Sequence, residues 1–204
     1  MNEAHTLSSW VNTKAAATYV DEETMALLQC CLEGDDAAYV TLYNQHAGMV
    51  YRLAFGLLQN KEDAEEVLQD SFEYAFRKLA HYDPTKSAFK TWLYRITVSR
   101  CHNKRRRKWL PTFPLRFLPQ QDVPDHQSPT PDRLLELDEQ QTIIWEALAQ
   151  LSLKLRETAI LRYYHGLRYK EIGEILGIPP KTAESRIRLA HKALRTLLDD
   201  DKSI

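Results

Sequence analysis

The chain has 204 residues, 44% of them hydrophobic and 27% charged, which supports packed cores and excludes wholesale disorder. No run of about eighteen apolar residues occurs, so membrane insertion is not expected. Met1-Asn2-Glu3-Ala4-His5 lacks a basic start before an apolar run, so no secretory signal is read and a cytoplasmic location is expected.

Residues 1–20 carry little pattern and read as an N-terminal extension. Met25, Leu28 and Leu32 then take helical spacing, with Gly34 as a C-cap and Asp35 as the next N-cap. Ala38, Leu42, Val50, Leu53, Ala54 and Leu57 predict a longer helix, and Asn60 caps the one after it. That helix carries Ala64, Val67, Leu68, Phe72, Ala75, Phe76 and Leu79 on one face, and Asp63, Glu66, Asp70 and Glu73 on the other. Asp83-Pro84-Thr85-Lys86-Ser87 reads as a turn. Phe89, Trp92, Leu93, Ile96 and Cys101 predict a helix that ends in the run Lys104–Lys108. Six of the nine prolines fall within 111–131, so this stretch reads as an extended linker. Helical spacing resumes at Leu134, Leu137, Ile144, Leu148 and Leu151, and another helix is expected around Arg156–Tyr164. A short amphipathic segment from Tyr169 to Leu176, the turn Gly177-Ile178-Pro179-Pro180 and a second helix complete a helix-turn-helix pattern. No strand alternation is visible. The expected fold is all-α, with helical domains at 21–110 and 133–198, a linker at 111–132 and a tail at 199–204.

The net charge of −1 conceals strong segregation. Residues 1–83 hold five basic and fourteen acidic side chains, whereas 84–121 hold ten basic and none acidic. Residues 154–196 are basic again, with ten cations against four carboxylates. Two cationic blocks among acidic ones suggest two meetings with a polyanion and one acidic surface for another partner. On the last helix Ala183, Ile187, Ala190, Leu194 and Leu197 recur at steps of four and three. Lys181, Ser185, Arg188, Lys192 and Arg195 recur at the same steps two residues earlier, roughly 200° around the helix. A helix with one apolar and one cationic face after a tight glycine turn suits a DNA major groove. The 86–108 block interleaves its cations with Phe89, Trp92, Tyr94 and Trp109, a mixture suited to unpaired bases. Phe89 and Trp92 also sit at core spacing. No nucleophile-base constellation, phosphate-cradling glycine motif or zinc ligand spacing appears, so neither a catalytic site, a metal nor a cofactor is expected. The cysteines Cys30, Cys31 and Cys101 read as small buried thiols rather than disulfide partners.

Three motifs in order, Asp63-Ala64-Glu65-Glu66-Val67-Leu68-Gln69-Asp70-Ser71-Phe72, Phe89-Lys90-Thr91-Trp92-Leu93-Tyr94-Arg95-Ile96 and Tyr169-Lys170-Glu171-Ile172-Gly173-Glu174-Ile175-Leu176-Gly177-Ile178-Pro179, resemble the extracytoplasmic-function (group IV) bacterial sigma factors over residues 22–198. The resemblance implies that Asp63, Glu66, Gln69 and Asp70 dock on the β′ coiled coil of core RNA polymerase, with the β flap as a further contact. It implies that Lys86, Lys90, Arg95, Ser99, Arg100, Asn103, Arg105 and Arg106 engage and open the −10 element. It assigns the −35 element to Lys181, Thr182, Glu184, Ser185, Arg186, Arg188 and Lys192, and it implies an anti-sigma factor as a regulatory partner. Ser99 and Asn103 stand where the family often has Asn and Asp, Gly173 where Ala is usual, and Lys181-Thr182-Ala183-Glu184 where Gly-Thr-Val-Lys is frequent. The alternative is a stand-alone LuxR-like helix-turn-helix regulator, which would bind duplex without polymerase.

Overall fold

The computed structural model describes residues 22–109 and 139–201. The expected extension at 1–20, the linker at 111–132 and the helical positions Leu134 and Leu137 lie outside the described residues.

Among the described residues the fold is helical throughout. The first four helices are α1 (Glu22–Leu32), α2 (Asp36–Leu58), α3 (Lys61–Arg77) and α4 (Phe89–Trp109). Their ends follow local chemistry. The Asp35 carboxylate accepts from the Ala37 amide at 2.9 Å to open α2. Gln59 closes α2 in a left-handed conformation, φ 54°, and the Asn60 side chain then accepts from the Asp63 amide at 2.8 Å to open α3. Leu42, Val50, Leu53, Leu57, Val67, Phe72 and Leu93 form the buried centre of this bundle. Each such side chain contributes about 1.5–3 kcal/mol of burial.

The second unit holds α5 (Glu139–Gln150), α6 (Leu153–Ala159), α7 (Tyr169–Leu176) and α8 (Pro180–Asp201). Helix α8 runs past the expected boundary at 198 into the stretch read as a tail. The Arg156 guanidinium closes the α5 end by donating to the carbonyls of Leu148 at 2.9 Å and Leu151 at 3.2 Å, and to that of Ala149. Residues Ile160–Tyr164 form a π turn after α6. Tyr164 and His165 face the first unit while Tyr163 faces α8.

The two units dock on one another. Phe55 meets Trp145 edge to face, centroids 5.8 Å apart, and the Arg52 guanidinium lies 5.9 Å from the Tyr164 ring centre. The buried Tyr94 hydroxyl hydrogen-bonds His165 Nδ1 at 3.0 Å, and His102 Nε2 pairs with the buried Glu157 carboxylate. Cys101 is fully buried, and its neighbour His102 is committed to that ion pair.

The two histidines titrate in opposite senses. The hydrogen bond that His102 donates to Glu157 raises it above its usual 6.5, outweighing desolvation. Burial lowers His165 to about 3, with Lys90 and Arg52 adding to the effect. A raised folded value stabilises fully below the unfolded pKa and loses its effect as pH rises through the folded value. A lowered histidine value costs nothing above about 6.5 and progressively more as pH falls towards 3. Docking stability is therefore expected to peak near pH 6.5. Thermal melts across pH check this: His102→Gln should flatten the alkaline limb and His165→Phe the acid limb.

Candidate nucleic-acid interface

The turn at 83–87 and one flank of α4 enclose a cleft of about 580 Å³. The Asp83 carboxylate shapes the turn by accepting from the Thr85 hydroxyl at 2.6 Å and the Thr85 amide at 3.0 Å; the hydroxyl, then Lys86, hold it below the usual carboxylate range. The Tyr82 hydroxyl donates to the Ser87 carbonyl at 2.9 Å and pins the far side. Lys86, Arg95, Ser99, Arg100 and Asn103, five of the eight residues expected at the −10 element, line this cleft. The other three do not. Lys90 lies 6.0 Å from the Tyr94 ring centre, on the flank of α4 that meets the second unit. Arg105 donates inward to the Leu57 carbonyl at 3.4 Å, and Arg106 to Asn103 Oδ1 at 3.2 Å on the surface. A seventeen-residue span of α4 turns through several faces, so one basic run cannot all address one ligand.

Three aromatic walls of the cleft come from separate segments: Tyr74 on α3, Tyr82 after the 3-10 turn Leu79–His81, and Trp92 on α4. Trp92 lies 5.2 Å from Tyr82 and 5.8 Å from Phe89, ring centre to ring centre. Phe89 is core, whereas Trp92 is only half-buried and borders the opening. The Arg100 guanidinium stacks on Tyr74 at 4.4 Å. Tyr74 and Tyr82 carried no periodic signal of a binding role. Their spacing to a basic helix on another segment is not visible in one-dimensional order.

The acidic face of α3 requires a correction. Asp63 is only 8% exposed and is not on the solvent side. It shares the buried stripe with Val67, one turn on, and pairs with Lys104 at 3.5 Å and with Lys108. Glu66 is half-exposed and also pairs with Lys104. Asp70 is partly buried, and that burial, reinforced by Glu66, raises its carboxyl above the usual range. The outward surface is formed by Glu62, Glu65, Glu66, Gln69 and Glu73.

The first helix of the helix-turn-helix packs on α4. The Glu171 carboxylate accepts from the Arg168 amide at 2.7 Å and fixes the start of α7. Gly177, φ 65°, ends it in the left-handed conformation, and Pro180 opens α8. Ala183, Ile187, Ala190 and Leu194 are buried, which turns Lys181, Glu184, Arg188 and Lys192 to solvent. Lys181, Glu184, Ser185 and Arg188 border a second cleft of about 440 Å³ together with Tyr163, Tyr169 and His191, which sequence spacing did not single out. Thr182 and Arg186 are half-buried and Lys192 lies further along α8; none of the three borders that cleft.

Gly173 shows why a weak helix former stands inside α7. A Cβ there would stand 2.6 Å from the Ile178 carbonyl oxygen, which belongs to the backbone of the turn. The Ile178 amide in turn donates to the Gly173 carbonyl at 3.0 Å. Alanine would gain about 1 kcal/mol of helix propensity, but overpacking against backbone costs about 1–3 kcal/mol. Gly173→Ala is therefore expected to lower the melting temperature of the second unit, measured by circular dichroism; an unchanged or higher value would contradict the tight-turn geometry.

Comparison with known proteins agrees with this geometry. Residues 42–110 match the family described as Sigma-70 region 2, and residues 141–194 match Sigma-70, region 4. The chain is 34% identical over 169 residues to ECF RNA polymerase sigma factor SigE of Mycolicibacterium smegmatis, covering 81% of this chain but only 64% of that relative's length. It is 32% identical to ECF RNA polymerase sigma factor SigW of Bacillus subtilis, covering 82% of this chain and 92% of that protein. The solved complex of the sigma factor RpoE with the anti-sigma factor NepR from Bartonella quintana shares the fold, with a TM-score of 0.57, 24% identity, and coverage of 75% of this chain and 91% of that one.

Proposed function

The chain belongs to the extracytoplasmic-function group of the sigma-70 family, and from that premise we propose how its surfaces divide the work of starting transcription. The α3 surface around Glu62, Glu65, Glu66 and Gln69 docks on core RNA polymerase. The cleft bounded by Tyr82, Trp92 and Arg100 holds unpaired bases of the −10 element. Helix α8 enters the major groove of the −35 element, with Lys181, Ser185 and Arg188 towards base edges and Lys192 towards phosphate. An anti-sigma factor is a further partner.

The observation that carries the reading is the coexistence of an aromatic, cation-lined cleft with a helix-turn-helix in one chain. A stand-alone regulator needs only the second. Separating stacked base pairs costs about 1.4 kcal/mol per step, and stacking an unpaired base on an aromatic ring returns about 1–3 kcal/mol. Capture of one or two bases thus offsets melting of a similar number, and phosphate contacts supply more. The chain contributes binding free energy that is larger for melted than for paired promoter, which shifts the opening equilibrium; bond formation remains with the polymerase.

Run-off transcription with core polymerase, with and without this chain, on a pool of genomic promoters tests the reading. Discrete start sites should appear only when the chain is present. Random initiation in both reactions would refute it.

A further inference from the structure

Leu189 is 55% exposed in the middle of α8. The other large exposed hydrophobic side chains among the described residues, Leu32 and Ile143, lie on α1 and α5. Leu189 instead sits on the outward face of the second helix. Ser185 precedes it by one turn, Lys192 follows by three residues, and Arg188 adjoins it; Arg188 and Lys192 are exposed. The buried stripe of Ala183, Ile187, Ala190 and Leu194 fixes this orientation, so Leu189 cannot turn into the core without unseating the helix.

A leucine in a cationic surface gains nothing in water. In a major groove, donors and acceptors occupy every base edge, and the apolar feature is the C5 methyl of thymine. We propose that Leu189 is a specificity-determining residue that reads thymine in the upstream promoter element through that methyl group. The inference rests on the placement of α8 in the groove given above. The cationic neighbours favour this over a protein partner, because Arg188 directed to a base edge and Lys192 directed to phosphate bring the aliphatic side chain beside them to the DNA surface.

The test uses holoenzyme assembled from core polymerase and the full chain. Its probe is a duplex enriched by that holoenzyme from random sequence, then resynthesised with deoxyuridine replacing each upstream thymine in turn. Removing one buried methyl is worth about fourfold in affinity. The wild-type holoenzyme should lose about that factor at one or two thymines. Leu189→Ala should bind the thymine duplex more weakly and be indifferent to the same replacement, while Leu189→Met should remain sensitive. Equal sensitivity of wild type and Leu189→Ala at every position, or no sensitivity in either, overturns the proposal. So does weaker assembly of Leu189→Ala with core polymerase in the absence of DNA, which would place the side chain against protein. Arg188→Ala should weaken thymine and uracil duplexes alike. If it weakens neither, the placement of α8 in the groove fails as well, a result distinct from a failure at Leu189 alone.

Discussion

Trp92→Ala is expected to reduce stable open complexes by about five- to 150-fold, the equivalent of losing one base-stacking contact worth about 1–3 kcal/mol. The indole stands at the mouth of the cleft, supported by Tyr82 and Phe89 and only half-buried. Its replacement therefore removes a surface for an unpaired base as well as some packing. The two consequences separate experimentally. Loss of a base contact lowers permanganate reactivity of melted thymines and weakens binding to a single-stranded −10 oligonucleotide, while protection of the −35 duplex persists. Loss of the fold would abolish both. Unchanged open-complex lifetime with an intact melting temperature would remove Trp92 from the mechanism.

Gly56→Leu should separate the two units while leaving each folded. A Cβ at Gly56 would stand 2.7 Å from both Trp145 Cζ3 and Ile160 Cδ1, and leucine adds three further carbons into the same gap. Both neighbours are themselves buried, so neither has free space to enter. Within α2 the exchange is otherwise favourable, because glycine in a helix costs about 1 kcal/mol relative to leucine. The local helix therefore persists and the penalty falls on docking. Small-angle scattering should show an increased radius of gyration, and Trp145 emission should shift to the red as its ring gains water. Helical content by circular dichroism should stay near that of the wild type. A compact particle with unshifted emission would mean that the docked arrangement tolerates the added volume.

Much of the helical plan was legible in the order of residues. Asp35, Asn60 and Gly177 cap helices where their types suggest, because capping is settled within a few residues. The stripe from Ala183 to Leu194 is buried as its spacing implies, because the helical period alone sets which side chains share a face. Asp63 was misread for a related reason. Its position at the edge of the apolar stripe is ambiguous, and Lys104 and Lys108, some forty residues on, decide that it turns inward. The resemblance likewise assigns Lys90 and Arg105 to the −10 element, although α4 presents them on flanks other than the cleft's. Gly173 departs from the alanine usual in the family, and only the approach of the Ile178 carbonyl gives that departure a steric reason.

Local rules thus determined the all-α class, the helix-turn-helix and the segregation of charge, since periodicity, caps and net charge are properties of neighbouring residues. Only the tertiary structure decided that Tyr74, Tyr82 and Trp92 wall one cleft, that a presumed docking carboxylate is internally paired, and that Gly56 admits Trp145 at a domain contact. Those outcomes depend on which faces of distant helices meet, and shape complementarity between remote segments leaves no repeat or spacing to read.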